Sequence, residues 1–450
     1  MPESVMRTKT FRTYDQDTLL LMPPSIRDWV DSDGLPAFIS DLVDDLDLAP
    51  FLAAHDEPRG MPPYHPAMML KVLLYGYATG VRSSRKLEDR LRSDVGFMFL
   101  AGGSRPGHKA IGEFRRRHLE AFRRLFRDIL LLCQQAGLVT LGRVALDGTK
   151  VKANASKHKA MSYGRMPERE AQLEAQVAAI LEEAEAIDQA EDAEFGDARG
   201  DELPEALRTR EGRLRAIREA KATLEAEAKE RTGDPDALPD PKAQRNFTDP
   251  DSRIMLSKPD GFIYGYNVGA VVDDTAQVIV ATTVGTETTD MHSLPDLVAQ
   301  VEANTGRRPK RLLADAGYRS ADNLEHLAEL GIDGYVATRR DKHSDAPASA
   351  PRGRIPGDLS ARGRMDRKLR TKRGRAEYAR RKVIVEPVFG QIKEAMGFRR
   401  FSLRGKAKVS AEWQLVCVSH NLGKLFHSGR AGRVIPGWDR PKGPRALGWA

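Results

Sequence analysis

Three carboxylates in this 450-residue chain stand where they could act together on a phosphoryl group. Asp147 ends the apolar run Val144-Ala145-Leu146 and is followed by Gly148, and Asp315 ends Leu312-Leu313-Ala314, two residues before Gly317. Glu386 lies inside a basic helical region and precedes Pro387. Apolar runs bounded by turn residues read as buried strands, and ligands of α/β folds gather where such strands end. Three hard oxygen donors without histidine or thiolate suit magnesium or manganese better than zinc. Two such ions about 3.5–4 Å apart can activate an attacking oxygen and stabilise a leaving one. Each residue also has a plainer reading. Asp-Gly is a common turn pair, and Glu386 is one glutamate among many. The residue before a proline is restricted, which places Glu386 at a helix break or a helix start. Helical spacing from Glu386 puts Phe389, Lys393 and Met396 near one face, so Lys393 could reach the same substrate.

The elements that must position these groups follow from periodicity. Pro66 opens an apolar helix, Ser83 or Ser84 caps the next, and Ile111 to Gln135 reads as a third. That third helix carries Phe114, Leu119, Phe122, Leu125, Phe126 and Ile129 on one side. Arg115, Arg116, Arg117, Arg123, Arg124 and Arg127 line the other, either as a solvated face or as a grip on a DNA backbone. After the Asp147 strand, residues 167–231 are rich in Ala, Glu, Arg and Leu and read as an inserted antiparallel helical hairpin. Ile263–Asp273 and Gln277–Val284 form a predicted β-hairpin. Helix, Asp315 strand, helix, short strand and terminal helices follow. The order predicts an α/β fold, a mixed sheet flanked by helices. A loop at 341–363 and a tail from Gly429 are expected to be mobile.

Charge is unevenly placed. The whole chain carries +8, but residues 351–410 hold 19 Lys+Arg against 5 Asp+Glu, a net of +14 that leaves −6 for the rest. Such a block is an electrostatic footprint for polyphosphate, or a solvated basic loop. Mean hydropathy is −0.49, and no apolar run is long enough for a membrane span. The N-terminus lacks a signal-peptide core, so the expected location is cytoplasmic. The two cysteines, Cys133 and Cys417, lie in apolar helical patterns and read as core residues. The ten histidines have no ligand spacing, which argues against a histidine-bound metal.

Five motifs in order carry a resemblance over nearly the whole chain. They are the helical block from His65-Pro66 to Arg82-Ser83-Ser84-Arg85, Leu146-Asp147-Gly148-Thr149-Lys150, and Thr248-Asp249-Pro250-Asp251-Ser252-Arg253. Ala314-Asp315-Ala316-Gly317-Tyr318 and the set Tyr378, Arg381, Glu386 and Lys393, followed by Gly397-Phe398-Arg399-Arg400-Phe401, complete them. Together they resemble the bacterial insertion-sequence transposases of the DDE class. The resemblance implies a ribonuclease-H-like core with Asp147, Asp315 and Glu386 as catalytic, metal-binding triad, holding Mg2+ or Mn2+ as a two-ion site. It implies that Tyr378, Arg381, Glu386 and Lys393 form a tyrosine–arginine–glutamate–lysine signature facing transposon-end DNA. Arg381 and Glu386 are separated by four residues where the commonest form has three, a gap Lys382 would fit. Lys150, Tyr318, Arg319, Arg399 and Arg400 are further DNA-binding candidates. The Asp249–Arg253 motif has no assigned role beyond capping or bracing a loop.

The implied activity is metal-dependent hydrolysis at element ends followed by 3′-hydroxyl strand transfer into target DNA. Its partners are double-stranded DNA and, in the DNA complex, a second copy of the chain, with nucleoid association and no membrane. The implied layout is an N-terminal segment at 1–60, a helical DNA-binding domain at 61–139 and a catalytic domain at 140–427. The hairpin interrupts the last at 160–245, and 428–450 forms a disordered tail. The alternatives are a nuclease that does not join strands, a non-catalytic DNA-binding protein and a helical scaffold.

Overall fold

A computed structural model describes residues 25–54, 62–156, 159–183, 210–257, 260–287, 289–339, 350–351, 353, 356, 358–436 and 438. Most of the loop expected at 341–363 and residues 439–450 of the expected tail lie outside this set.

Helices α1 (Leu35–Asp44), α2 (Ala49–Leu52), α3 (Pro66–Ala78), α4 (Ser84–Ser93), α5 (Val95–Leu100), α6 (His108–Arg117) and α7 (Leu119–Gln135) form the N-terminal part. Pro66 stands at the start of α3, where its missing N–H costs nothing, and His65 Nδ1 accepts from Ala67 N at 3.2 Å. The single helix expected from Ile111 to Gln135 is broken at His118 into α6 and α7. Phe38, Ile39, Leu42 and Val43 of α1 are buried, and α1 packs on α3 and α5, so residues expected as a separate segment share this core. Arg115 also departs from the expected arginine face: it is buried, while Arg116, Arg117, Arg123, Arg124 and Arg127 remain exposed.

The C-terminal half is built on a six-stranded mixed sheet. Its strands are β1 (Val144–Lys152), β4 (Arg253–Ser257), β5 (Gly261–Asp273), β6 (Ile279–Gly285), β7 (Arg311–Ala314) and β8 (Asp333–Val336). The order is β4-β5-β1-β7-β8, with β6 also on β5. β5 is antiparallel to β1, β4 and β6, whereas β1, β7 and β8 run parallel. β2 (Ala160–Ser162) and β3 (Gln244–Asn246) form a separate antiparallel ladder that closes the insertion, whose helices are α8 (Met166–Glu183) and α9 (Arg210–Thr232). Met166, Leu173, Leu214, Ile217, Ala220 and Leu224 give that hairpin a small core of its own.

The other helices are α10 (Leu294–Thr305), α11 (Ala321–Glu329), α12 (Ala361–Arg370), α13 (Lys372–Gly390) and α14 (Lys406–His427). α13 packs on β1, β5, β7 and β8, while α14 packs on β6, α3 and α7. One continuous apolar core therefore joins the N-terminal helices, the sheet and α14, and both cysteines lie in it. The stretch expected to begin a disordered tail is partly built in. Ala431, Ile435 and Trp438 are buried, and the Trp438 ring lies 5.2 Å from Phe38. An indole buried against aromatic neighbours holds the chain down despite the glycines and prolines around it.

Candidate active site

The site starts from strand register. β1 and β7 run parallel until Leu146 pairs with Ala314, so Asp147 and Asp315 follow side by side. Asp315 leaves its strand there and accepts from Gly317 N at 2.8 Å, capping the 3-10 turn Ala316–Tyr318. Asp147 does not leave. β1 runs on to Lys152 because β5 pairs with it throughout, Asp147 opposite Ala270 and Gly148 opposite Gly269. The Asp147-Gly148 pair is thus a mid-strand step and not a turn.

What the glycine provides is space. A Cβ on Gly148 would stand 2.7 Å from Asp290 Oδ1, and one on Gly317 would stand 3.4 Å from Asp290 Oδ2. The two motif glycines face the same carboxylate. Asn267 of β5 donates to that carboxylate through Nδ2 at 2.5 Å. Asp290 is a fourth acid at the site that sequence reasoning missed. Its local sequence, Thr288-Thr289-Asp290-Met291, has no strand or spacing signal, and only the glycines opposite hint that something fills the gap.

α13 brings the remaining groups. Arg381 Nη1 donates to Asp147 Oδ2 at 2.6 Å, and Arg381 Nη2 lies 3.7 Å from Glu386 Oε1. One guanidinium thus faces a strand carboxylate and a helix carboxylate. The Arg381 and Asp147 side chains are 11% and 19% exposed, against 54% for Glu386. Burial pushes the Asp147 carboxyl up to about 6, with Arg381 opposing and the Asp315 charge adding to the rise. Burial works against the charge on Arg381, but Asp147, Tyr378 and Asp315 outweigh it and raise its pKa.

Glu386 sits inside α13, contrary to the break or start expected from Pro387. Proline leaves the carbonyl of Val383 without its helical donor. Gln277 Nε2, from the β5–β6 turn, donates to that oxygen at 3.0 Å, so the helix continues. Beyond Gly390 it widens into the π-helical turn Gln391–Ala395. Lys393, in this turn, donates to Thr149 Oγ1 at 2.5 Å, two residues beyond Asp147 on β1.

The other predicted residues separate. Tyr378 lies against Arg381, while Lys382 is exposed and shows no contact with the carboxylates, so Arg381 and not Lys382 faces them. Lys150 is half-buried, and burial lowers its pKa against the pull of Asp290 and Asp315. Arg399 pairs with Glu394, and Arg400 donates to Ala153 O and Asn154 Oδ1, both at 3.3 Å, beside the far end of β1. Tyr318 is fully buried, so it presents no atom to DNA. Its hydroxyl lies inside, where burial and the charges of Asp290, Asp147 and Asp315 push its pKa up. Arg319 faces an open cavity beside β8.

The Asp249–Arg253 motif braces the end of the fold that carries α14. Asp249 Oδ1 accepts from Tyr266 Oη at 2.7 Å and from Gly405 N at 3.1 Å, and Asp251 Oδ2 accepts from Lys406 N at 2.7 Å. The motif ties β5 to the start of α14.

Among the described residues, no three His, Cys, Asp or Glu side chains converge closely enough to hold a metal ion. The donor set still fits one. Asp147 and Glu386 already face a common cation, the Arg381 guanidinium, with Asp315 beside them, and all three offer hard oxygens.

Comparison with known families gives two matches. Residues 245–422 match the model of the Transposase DDE domain, and residues 24–117 match that of the Transposase domain (DUF772). The first range holds Asp315 and Glu386, and Asp147 lies between the two ranges. No curated protein and no solved structure matches the chain.

Proposed function

Since the chain belongs to the DDE transposases of insertion sequences, we propose that it cuts a phosphodiester at each end of its element and joins the freed 3′-hydroxyl to target DNA at Asp147, Asp315 and Glu386. The observation that carries this reading is the Arg381 guanidinium bound to Asp147 and facing Glu386, beside Asp315. Divalent metal ions serve this family, and a pair of Mg2+ or Mn2+ ions held by the three carboxylates would activate the attacking oxygen and neutralise the leaving one. The rigid strand pair places two of the carboxylates, and α13 presents the third at the surface, where a strand of DNA can reach it. Arg381 holds the carboxylates together in the absence of DNA and turns toward a backbone phosphate when DNA arrives, as a planar guanidinium suits. Lys393, anchored on Thr149, and Lys150 line the same strand and neutralise the phosphate. Positioning and charge supply most of the catalysis in phosphoryl transfer.

The basic residues of α12, α13 and the Arg399–Lys408 segment grip the backbone, so binding weakens steeply with salt. The N-terminal helices recognise the element ends, and two copies of the chain pair them. Among the described residues no helix is long and apolar enough to cross a membrane.

The test is to incubate the full chain with magnesium, a labelled duplex carrying an element end and a target plasmid. Asp147→Ala, Asp315→Ala and Glu386→Ala should each lower cleavage by roughly a thousandfold while end binding changes little. Cleavage that survives any of the three substitutions removes that residue from the triad. Cleavage without joined product would make the chain a nuclease.

A further inference from the structure

An open cavity of about 400 Å³ is lined by Arg319, Thr338, Arg339 and Arg362, a size within the range of ligand sites. Its three charged walls are guanidiniums from three elements. Arg319 follows the 3-10 turn that begins after Asp315, Arg339 follows β8, and Arg362 lies in the first turn of α12. Two of them are held from behind by backbone carbonyls. Arg319 Nη1 donates to Ala316 O at 3.2 Å, and Arg362 Nη2 donates to Thr338 O at 3.1 Å. The nearby carboxylate is shared: Asp366 accepts from Thr338 Oγ1 at 3.0 Å and lies 3.8 Å from Arg339 and 3.1 Å from Arg370. The Arg339 side chain remains 74% exposed. Three cations around an open space, with the neighbouring anion already engaged, make a receptor for a phosphate group.

Its place in the sheet says which phosphate. β7 is followed by Asp315, and β8 is its parallel neighbour, Ala314 pairing with Val336. Thr338 and Arg339 therefore lie one strand over from Asp315, on the side away from β1. The N-terminal helices pack with α14, which covers β6 at the opposite side of the sheet. A DNA strand crossing the triad from the N-terminal helices would continue toward the cavity.

We propose that Arg319, Arg339 and Arg362 form a binding site for a backbone phosphodiester of the DNA strand beyond the scissile phosphate, on the donor flank that cleavage releases. Neighbouring strands are about 4.8 Å apart and a DNA strand carries one phosphate per 3.4 Å of axis, so the bound phosphate lies within about three nucleotides of the cut. This rests on the transposase reading above for the direction of the strand, and not for the anion chemistry of the cavity.

The experiment uses the full chain and an element-end duplex extended into flanking DNA, with single phosphates replaced in turn by neutral methylphosphonates. For the unsubstituted protein, one position outside the cut should cost about tenfold in affinity. The Arg339→Gln/Arg362→Gln variant should lose the same amount on the unmodified duplex and lose nothing further at that position. Circular dichroism checks that this surface variant is folded, and Arg339→Lys, which keeps charge without the fork, should fall between the two. Losses that simply add at every position overturn the proposal, as does a variant that binds like the parent. If millimolar inorganic phosphate erases the difference between parent and variant while no position couples, the cavity holds a free anion and the proposal fails. Coupling without metal-dependent cleavage would sink the transposase reading and leave the site standing, and cleavage without coupling would do the reverse.

Discussion

Asp290 explains why glycine follows Asp147, whereas at Gly317 a side chain would first meet the Asp315 carboxylate, at 2.9 Å. A side chain at Gly148 would press on Asp290 Oδ1 and Cγ at 2.7 and 3.2 Å and break its bond to Asn267. Gly148→Ala should therefore cost about 1–3 kcal/mol in denaturant unfolding. Adding Asp290→Ala to that variant should restore much of the loss, and if it does not, the clash lies elsewhere. A second residue governs acid sensitivity. His420 is buried in α14, and its Nε2–H donates to Gln277 O at 2.9 Å. Burial, with Lys424 nearby, drives its pKa from 6.5 down to about 3. The unfolded chain thus takes up a proton near 6.5 that the folded chain refuses. His420 costs no stability above that pH, and stability falls on acidification by about 1.4 kcal/mol per pH unit through this residue alone. His420→Gln should flatten the dependence of unfolding free energy on pH between 6.5 and 4 by about that slope. An unchanged slope would mean that His420 is protonated in the folded chain.

Elements differ in how far they depend on their neighbours. The α8–α9 hairpin has its own apolar cluster, and its stem closes where Ser162 pairs with Gln244. Its described ion pairs to the sheet side run through Glu227, which bonds Arg245 and Arg253 at 2.8 and 2.6 Å. Replacing residues 163–243 by a two-residue Asn-Gly turn should leave a folded protein whose melting temperature moves by less than about 5 °C. A chain that no longer folds would show that the hairpin supports the catalytic core. α13 is the opposite case. Its continuity through Pro387 depends on Gln277 from a distant turn, and that continuity is what sets Glu386 opposite Arg381.

At the scale of the whole molecule, a buried polar network couples the N-terminal helices to the catalytic half. Glu412 of α14 accepts from Ser402 N and Leu403 N, both at 2.9 Å, and from Tyr77 Oη at 3.2 Å. Arg115 donates in turn to Tyr77 Oη at 3.3 Å and to Arg82 O at 3.0 Å. The neighbouring Phe401 N donates to Lys152 O at 2.8 Å, so the network reaches the far end of the strand that carries Asp147. Glu412→Ala would strand a buried guanidinium and two amides and should cost about 3–5 kcal/mol of global stability. A loss below about 1 kcal/mol would show that the two halves are held by apolar packing alone.

Much of the candidate site is legible in the sequence. Apolar runs ending in Asp147 and Asp315, the basic segment around Glu386 and the Glu/Ala/Arg insertion are local patterns, and hydrophobic periodicity and charge carry them directly. What only the tertiary structure decided depends on partners distant in sequence. β5 keeps β1 extended past Gly148, Gln277 carries α13 through Pro387, and Asp290 fills the space left at Gly148. Tyr318 and Arg115 are both withdrawn from the surface because each points into a core assembled from several elements. A sequence records which residues can pair, bend or ionise. Burial and register, which choose among those possibilities, are set by the neighbours that folding brings alongside.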